Sequence, residues 1–111
     1  MIESEDDDFQ LAIDRFRRIS KNKLAWQKLQ IIHDTRELIP VCLKNLNFEG
    51  VLDADKLMII WIYILHKAKV TNLHSQIRFI EEFSSENEIF QTFKGHSFCS
   101  MQAAVECLTM L

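Results

Sequence analysis

Residues 53–83, DADKLMIIWIYILHKAKVTNLHSQIRFIEEF, decide the fold of this chain. The nine residues from Leu57 to Leu65 are all apolar or aromatic, and several of them favour β structure. The segment is nevertheless too long for an ordinary strand, because about sixteen residues separate its acidic start from its lysine-rich end. The pattern predicts a helix over 53–69 that is buried on most sides.

A second apolar stripe follows the turn at Val70. Thr71 offers an N-cap, and the next apolar positions recur at the three- and four-residue spacing of one helix face. These positions are Leu73, Ile77, Ile80 and Phe83. The polar residues 84–88 predict a loop, and Gly95 is the next break. The last helix has an apolar stripe formed by Phe98, Met101, Val105 and Leu108.

Two more helices are predicted on the N-terminal side. The first begins at Phe9 after an acidic run, with Ile13 and Phe16 on its apolar face. The second covers 25–38, and Pro40 should kink or restart it, because proline removes a backbone donor and disfavours helix at the preceding residue. A loop follows over 45–52. The expected architecture is all-α, a compact bundle of about five to six helices over residues 9–111 after an acidic tail over residues 1–8.

The composition limits the class of protein. Of the 111 residues 48% are hydrophobic, with only two glycines and one proline, which excludes a disordered chain and argues against an all-β fold. Thirteen Lys and Arg against sixteen Asp and Glu give a net charge of −3. Nucleic acid is therefore not an expected partner, since it usually requires a clustered basic face.

Nothing in the sequence predicts export or direct insertion into a membrane. The apolar run of nine residues is far shorter than the roughly 20 that span a bilayer. The N-terminal MIESEDDD lacks the basic and then apolar order of a signal peptide. Three widely spaced cysteines without a CxxC pair fit a reducing compartment, so the expected location is the cytoplasm.

The residues alone support no catalytic or cofactor site. There is no glycine-rich phosphate loop, and the histidines and cysteines show no nucleophile spacing. His96 and Cys99 lie three residues apart, but two ligands do not make a zinc site. No cofactor and no metal are therefore expected. Asp55, taken by itself, is an acid at a helix start, where a carboxylate gains roughly 0.3–1 kcal/mol from the helix dipole.

Several motifs together resemble one family. DADKLMIIWIYILHKA resembles the (Ser/Gly)-Ala-Asp-Asp-hydrophobic-hydrophobic-Pro helix of the Vps-nine domain, and TNLHSQIRFIEEF is similar to its Asn-Leu-x-Ser-x-Ile-x-x-Ile-x-x-Phe helix. AAVECL resembles the closing Ala-Val-x-x-Ile helix, and QKLQIIHDTRELI is similar to the Lys-Leu-x-x-(Ile/Leu) helix. The resemblance covers about residues 9–111. Members usually carry a helical bundle before this domain, and this chain is expected to lack it.

The resemblance implies a guanine-nucleotide exchange factor for endosomal GTPases of the Rab-five subfamily. In the family, the Asp after the Ala enters the nucleotide site of the GTPase, where it repels the phosphates and disfavours Mg²⁺. Asp55 holds that position here. The implied partner surface is an apolar groove between the third and last helices that includes Ile59, His96 and Cys99. The implied location is the cytoplasm, with recruitment to endosomes.

At several positions this surface departs from the family pattern. Ile59 replaces a proline, His96 a tyrosine and Cys99 a threonine, and Lys56 follows Asp55 where a second acid is usual. The loss of one such contact typically costs about 1–3 kcal/mol, so exchange should be weakened. Lys56 should also reduce the negative field of Asp55. The alternative is a Vps-nine-like module that binds a trafficking partner without exchanging nucleotide.

Overall fold

A computed structural model describes residues 8–85 and 92–109 of the chain. It contains α1 (Gln10–Arg17), a 3₁₀ helix (Arg18–Lys21), α2 (Ala25–Asn45), α3 (Ala54–Ala68), α4 (Leu73–Phe83) and α5 (Phe93–Thr109). These residues form no strand, which confirms the predicted all-α bundle. Apart from Asp8, the predicted acidic tail lies outside the described residues, as do residues 86–88 of the predicted loop and the chain end at Leu111.

The core forms where α3 packs against α1 and α5, and where α2 packs against α1, α4 and α5. Trp61 of α3 is fully buried and meets Phe16 of α1 edge to face, with 6.0 Å between the ring centroids. Burial of each large apolar side chain contributes about 1.5–3 kcal/mol. The predicted stripes supply much of the remaining core, namely Ile13, Leu29, Ile32, Ile77, Ile80, Phe98, Met101 and Val105.

Side chains fix both ends of α3. At its start Asp53 is the N-cap, and its Oδ1 accepts the backbone N–H of Lys56 at 2.9 Å. At its end the guanidinium of Arg17 donates to the carbonyl oxygens of Ala68 and Lys67, at 3.3 and 3.2 Å. The helix predicted over 53–69 is thus confirmed, and Arg17 fixes its C-terminal end against α1.

A buried lysine connects α4 to the N-terminal half of the chain. The ammonium of Lys28 donates to the carbonyl oxygen of Ile19 at 2.9 Å and to Oε1 of Gln76 at 2.6 Å. It also lies 5.5 Å from the ring centroid of Phe79. Burial lowers the pKa of Lys28, because the charged form is deprived of water. A buried ammonium needs such acceptors, so these contacts fix α4 against α2.

Of the kink or restart predicted at Pro40, the restart was wrong, because α2 continues through this residue to Asn45. Pro40 is exposed, so its ring meets water rather than a neighbouring helix. Ile39 and Cys42 on the opposite side are buried. Packing of this buried side holds the helix together despite the backbone hydrogen bond that proline cannot donate.

The predicted starts of the last two helices were also wrong. Asn72, not Thr71, is the N-cap of α4; its φ is 60°, a left-handed conformation that asparagine tolerates better than β-branched threonine. Gly95 lies buried within the first turn of α5 rather than before it. Thr92 supplies the cap, since its Oγ1 accepts the backbone N–H of Gly95 at 3.0 Å. No helix formed by the described residues is both long and apolar enough to cross a membrane.

Candidate functional site

Asp55 lies in the first turn of α3 with its side chain exposed to solvent. The N-cap position is already filled by Asp53, whose carboxylate holds the N–H of Lys56. The carboxylate of Asp55 forms no hydrogen bond or ion pair with any residue that the structure describes. Its local role is limited to a favourable interaction with the helix dipole. The carboxylate is therefore available to a partner.

Lys56 directs its charge to the loop between α2 and α3. Its ammonium donates to the carbonyl oxygen of Val51 at 3.0 Å and lies 4.0 Å from Oδ2 of Asp53. The ring centroid of Phe48 is 5.7 Å away. Consecutive residues point in different directions around a helix, so Lys56 and Asp55 project from different sides of α3. The positive charge is thus held against the loop rather than in an ion pair with Asp55.

The outer side of α3 continues from Asp55 to Ile59 and Tyr63. Four-residue spacing places these three residues on one side of the helix, and all three are exposed. Ile59, one turn from Asp55, is 65% exposed. The prediction that α3 is buried on most sides was wrong, because its buried residues, Trp61, Ile64, Leu65 and Ala68, form one side and the side that carries Asp55 is exposed. The site therefore combines an unpaired carboxylate with a large exposed aliphatic side chain.

The other two predicted contact residues, His96 and Cys99, lie on α5. Both are exposed, and their three-residue spacing places them on the same side of that helix. Helix α5 packs against α3, where Sγ of Cys107 lies 3.5 Å from Sδ of Met58. His96 lines a surface depression of about 540 Å³ together with Leu57 of α3. Residues 8–85 and 92–109 contain no group of three or more His, Cys, Asp or Glu side chains placed to hold a metal ion.

The α2–α3 loop adds apolar surface that the motifs did not assign to the site. Ile59 shares a depression of about 160 Å³ with Phe48 and Leu52 of this loop. Val51 is 77% exposed. The ring of Phe48 covers Gly50, where a Cβ atom would stand 2.8 Å from Cζ of Phe48. Apolar residues in an otherwise polar loop were the only sequence signal for this surface. Ile59 thus borders the loop, whereas His96 lines a separate depression with Leu57.

A polar contact beneath His96 fixes the start of α5 on α2. Nδ1 of His33 lies 3.0 Å from Oγ of Ser97, and the Ser97 hydroxyl donates to the carbonyl oxygen of Phe93 at 3.2 Å. Ser97 is buried. The contact positions the helix turn that carries His96 and Cys99. His33 and Ser97 lie 64 residues apart in sequence, so no local pattern could predict it.

Comparison with known families gives the class of protein. The family model of the vacuolar sorting protein 9 (VPS9) domain matches residues 9–111. This is the Vps-nine domain that the motifs of the sequence resemble. The chain therefore belongs to the Vps-nine domain family, as its motifs predicted. Searches of curated proteins and of solved structures each gave no match. Domains of this family are Rab-type exchange factors or modules that bind small GTPases, and they are not covalent catalysts.

Proposed function

We propose that this domain is a guanine-nucleotide exchange factor for small GTPases of the Rab-five subfamily and that Asp55 enters their nucleotide site. One observation carries the proposal. Asp53 caps α3, while Asp55 is exposed and has no partner in the described part of the chain. The fold does not need this second acid, so its charge is free to act on a bound GTPase.

A carboxylate in a nucleotide site acts by electrostatics. It repels the nucleotide phosphates and competes with them for the cations of the site, the phosphate-binding lysine and Mg²⁺. The domain then binds the nucleotide-free GTPase more tightly than the loaded one. By thermodynamic linkage the effect is reciprocal. Bound nucleotide lowers the affinity of the GTPase for the domain by the same factor by which the bound domain lowers its affinity for nucleotide.

Ile59, His96 and Cys99 are proposed to hold the GTPase switch regions beside Asp55. Ile59 stands one helical turn from Asp55, and the other two lie on α5, which packs against α3. Their side chains offer a mixed apolar and polar surface rather than a charged one. In this proposal the domain acts in the cytoplasm and is recruited to endosomes, where GTPases of this subfamily work.

The test compares two acids of the same turn. Asp55→Asn removes the charge and should abolish the acceleration of fluorescent GDP release from Rab-five-subfamily GTPases. Asp53→Asn makes the same change in net charge two residues earlier, and asparagine caps a helix as well as aspartate does. It should therefore retain both fold and exchange. Equal loss of activity in two variants with native circular dichroism would contradict a specific role for Asp55.

A second candidate function is binding without exchange. It is favoured by the position of the departures from the family pattern, since Ile59, His96 and Cys99 are all exposed. These substitutions therefore alter the partner surface rather than the core. Tight binding of a nucleotide-free GTPase, without faster GDP release and with unchanged affinity in Asp55→Asn, would establish this function instead.

A further inference from the structure

Positive and negative charges are segregated along the chain. Residues 15–33 and 56–80 contain no Asp or Glu, although the chain has sixteen of them. Of the thirteen Lys and Arg residues, six lie in the first stretch and four in the second. The net charge of −3 therefore conceals two long cationic segments.

The fold brings residues 17–28 of the first segment and residues 67–76 of the second together at one end of the molecule. The guanidinium of Arg17 donates to the carbonyl oxygens of Ala68 and Lys67, so the end of α1 lies against the end of α3. Lys28 bridges the carbonyl of Ile19 and the side chain of Gln76, which joins the 3₁₀ helix to the start of α4. We define the cationic end by its exposed side chains, which are Arg17, Arg18, Lys21, Lys23, Lys67 and Lys69.

Within residues 8–85 and 92–109, two of these six side chains contact other groups of the chain. Arg17 caps α3 and lies 3.8 Å from Oδ1 of Asp14, and Lys67 lies 5.8 Å from the ring centroid of Tyr63. The other four side chains form no hydrogen bond or ion pair within the described residues: Arg18, Lys21, Lys23 and Lys69. Like charges on one surface repel one another and create a positive potential that attracts an anionic partner.

Exposed apolar residues border this charge. Leu24 and Trp26 directly follow Lys21 and Lys23 in the chain, and they are 51% and 55% exposed. Tryptophan and leucine gain from partial burial at the boundary between headgroups and acyl chains, while lysine keeps its ammonium in the headgroup layer. An exposed aliphatic residue such as Leu24 favours a lipid surface over nucleic acid, which offers it only polar phosphates and sugars at its backbone.

We propose that the cationic end docks on the surface of a bilayer that contains anionic phospholipid. Helix α3 runs from Asp55 to this end, and its 15 residues rise by about 21 Å. Docking through the cationic end would therefore hold Asp55 roughly 20 Å above the headgroups, open to a GTPase. The proposal goes beyond exchange, and lipid binding can be measured without any GTPase.

The experiment is co-sedimentation of the protein with phosphatidylcholine vesicles, with and without phosphatidylserine. Each cation near an anionic surface contributes about a factor of five in affinity, so the triple variant R18Q/K21Q/K69Q should bind roughly a hundredfold more weakly. The control R36Q/K44Q/K56Q makes the same change in net charge away from the cationic end, since Lys56 contacts the α2–α3 loop, and it should bind like wild type. Emission from Trp26 should shift to shorter wavelength on vesicles, and Trp26→Phe should remove the shift, because Trp61 is already buried.

Three results would overturn the proposal. The first is absence of binding to phosphatidylserine vesicles at low salt. The second is an equal loss in the two triple variants, which would mean that only net charge matters. The third is binding of an RNA or DNA oligonucleotide as tight as vesicle binding and lost in the same variant, which would assign the cationic end to nucleic acid.

Discussion

Asp53 and Asp55 show how two identical side chains in one turn receive different roles. The first is bound to the backbone N–H of Lys56 and stabilises the helix start, so its replacement by alanine would cost about 1 kcal/mol. The second is exposed and has no intramolecular partner within the described chain. In the sequence, Asp53 and Asp55 are both acids that precede an apolar run. Only the hydrogen bond that Asp53 accepts in the structure distinguishes them.

His96 offers a gain-of-function test at the same scale. It is exposed on α5, where the family pattern has tyrosine, so His96→Tyr should leave the fold intact. Tyrosine adds ring area and a hydroxyl donor, and one recovered contact should speed GDP release by about tenfold or more. The measurement is the fluorescent GDP assay on a Rab-five-subfamily GTPase.

The matched control for His96→Tyr places the same substitution in the Asp55→Asn background. A domain that docks better but lacks the Asp55 carboxylate should not release nucleotide. The gain in the rate of GDP release should therefore vanish in the Asp55→Asn background. A gain of equal size without Asp55, or none with it, would show that His96 does not contribute to exchange through this site.

At the scale of the element, Pro40 makes α2 less stable than another residue at this position would, so its replacement should raise the free energy of unfolding. Pro40→Ala restores a backbone N–H that can reach the carbonyl of residue 36, and the helix already runs through this position. We expect the unfolding free energy to rise by about 2 kcal/mol, after allowance for the less restricted unfolded chain. Urea denaturation measures the change. Lys44→Ala in the same helix should change it by less than about 0.5 kcal/mol, and an unchanged or lower value for Pro40→Ala would contradict the expectation.

The existence of the helices could be predicted because periodic apolar stripes depend only on local spacing. The ends of some helices could not, since neighbouring polar residues such as Thr71 and Asn72 offer similar caps and packing decides between them. The motifs likewise pointed to Asp55 and to residues on both helices of the site. Contacts such as that between His33 and Ser97 join distant segments, and no local pattern records them.

At the scale of the whole molecule, charge segregation makes the two ends of the domain electrostatically different. The acid-free segments 15–33 and 56–80 were visible in the sequence, but their convergence depends on the contact of Arg17 with Ala68 and Lys67. Asp55 lies at the opposite end of α3. A central helix with an acid at its N-terminal end and cations at its C-terminal end also has the charge arrangement that the helix dipole favours.

Because the two ends are about 20 Å apart, their activities should separate in a pair of variants. R18Q/K21Q/K69Q should lose vesicle binding yet exchange GDP in solution at the wild-type rate. Asp55→Asn should bind phosphatidylserine vesicles like wild type yet fail to exchange. With a GTPase tethered to the vesicles, wild type should exchange faster than the triple variant, because docking concentrates both proteins on one surface. A triple variant that also loses exchange in solution would mean that the cationic end contacts the GTPase itself, and the assignment to lipid would fail.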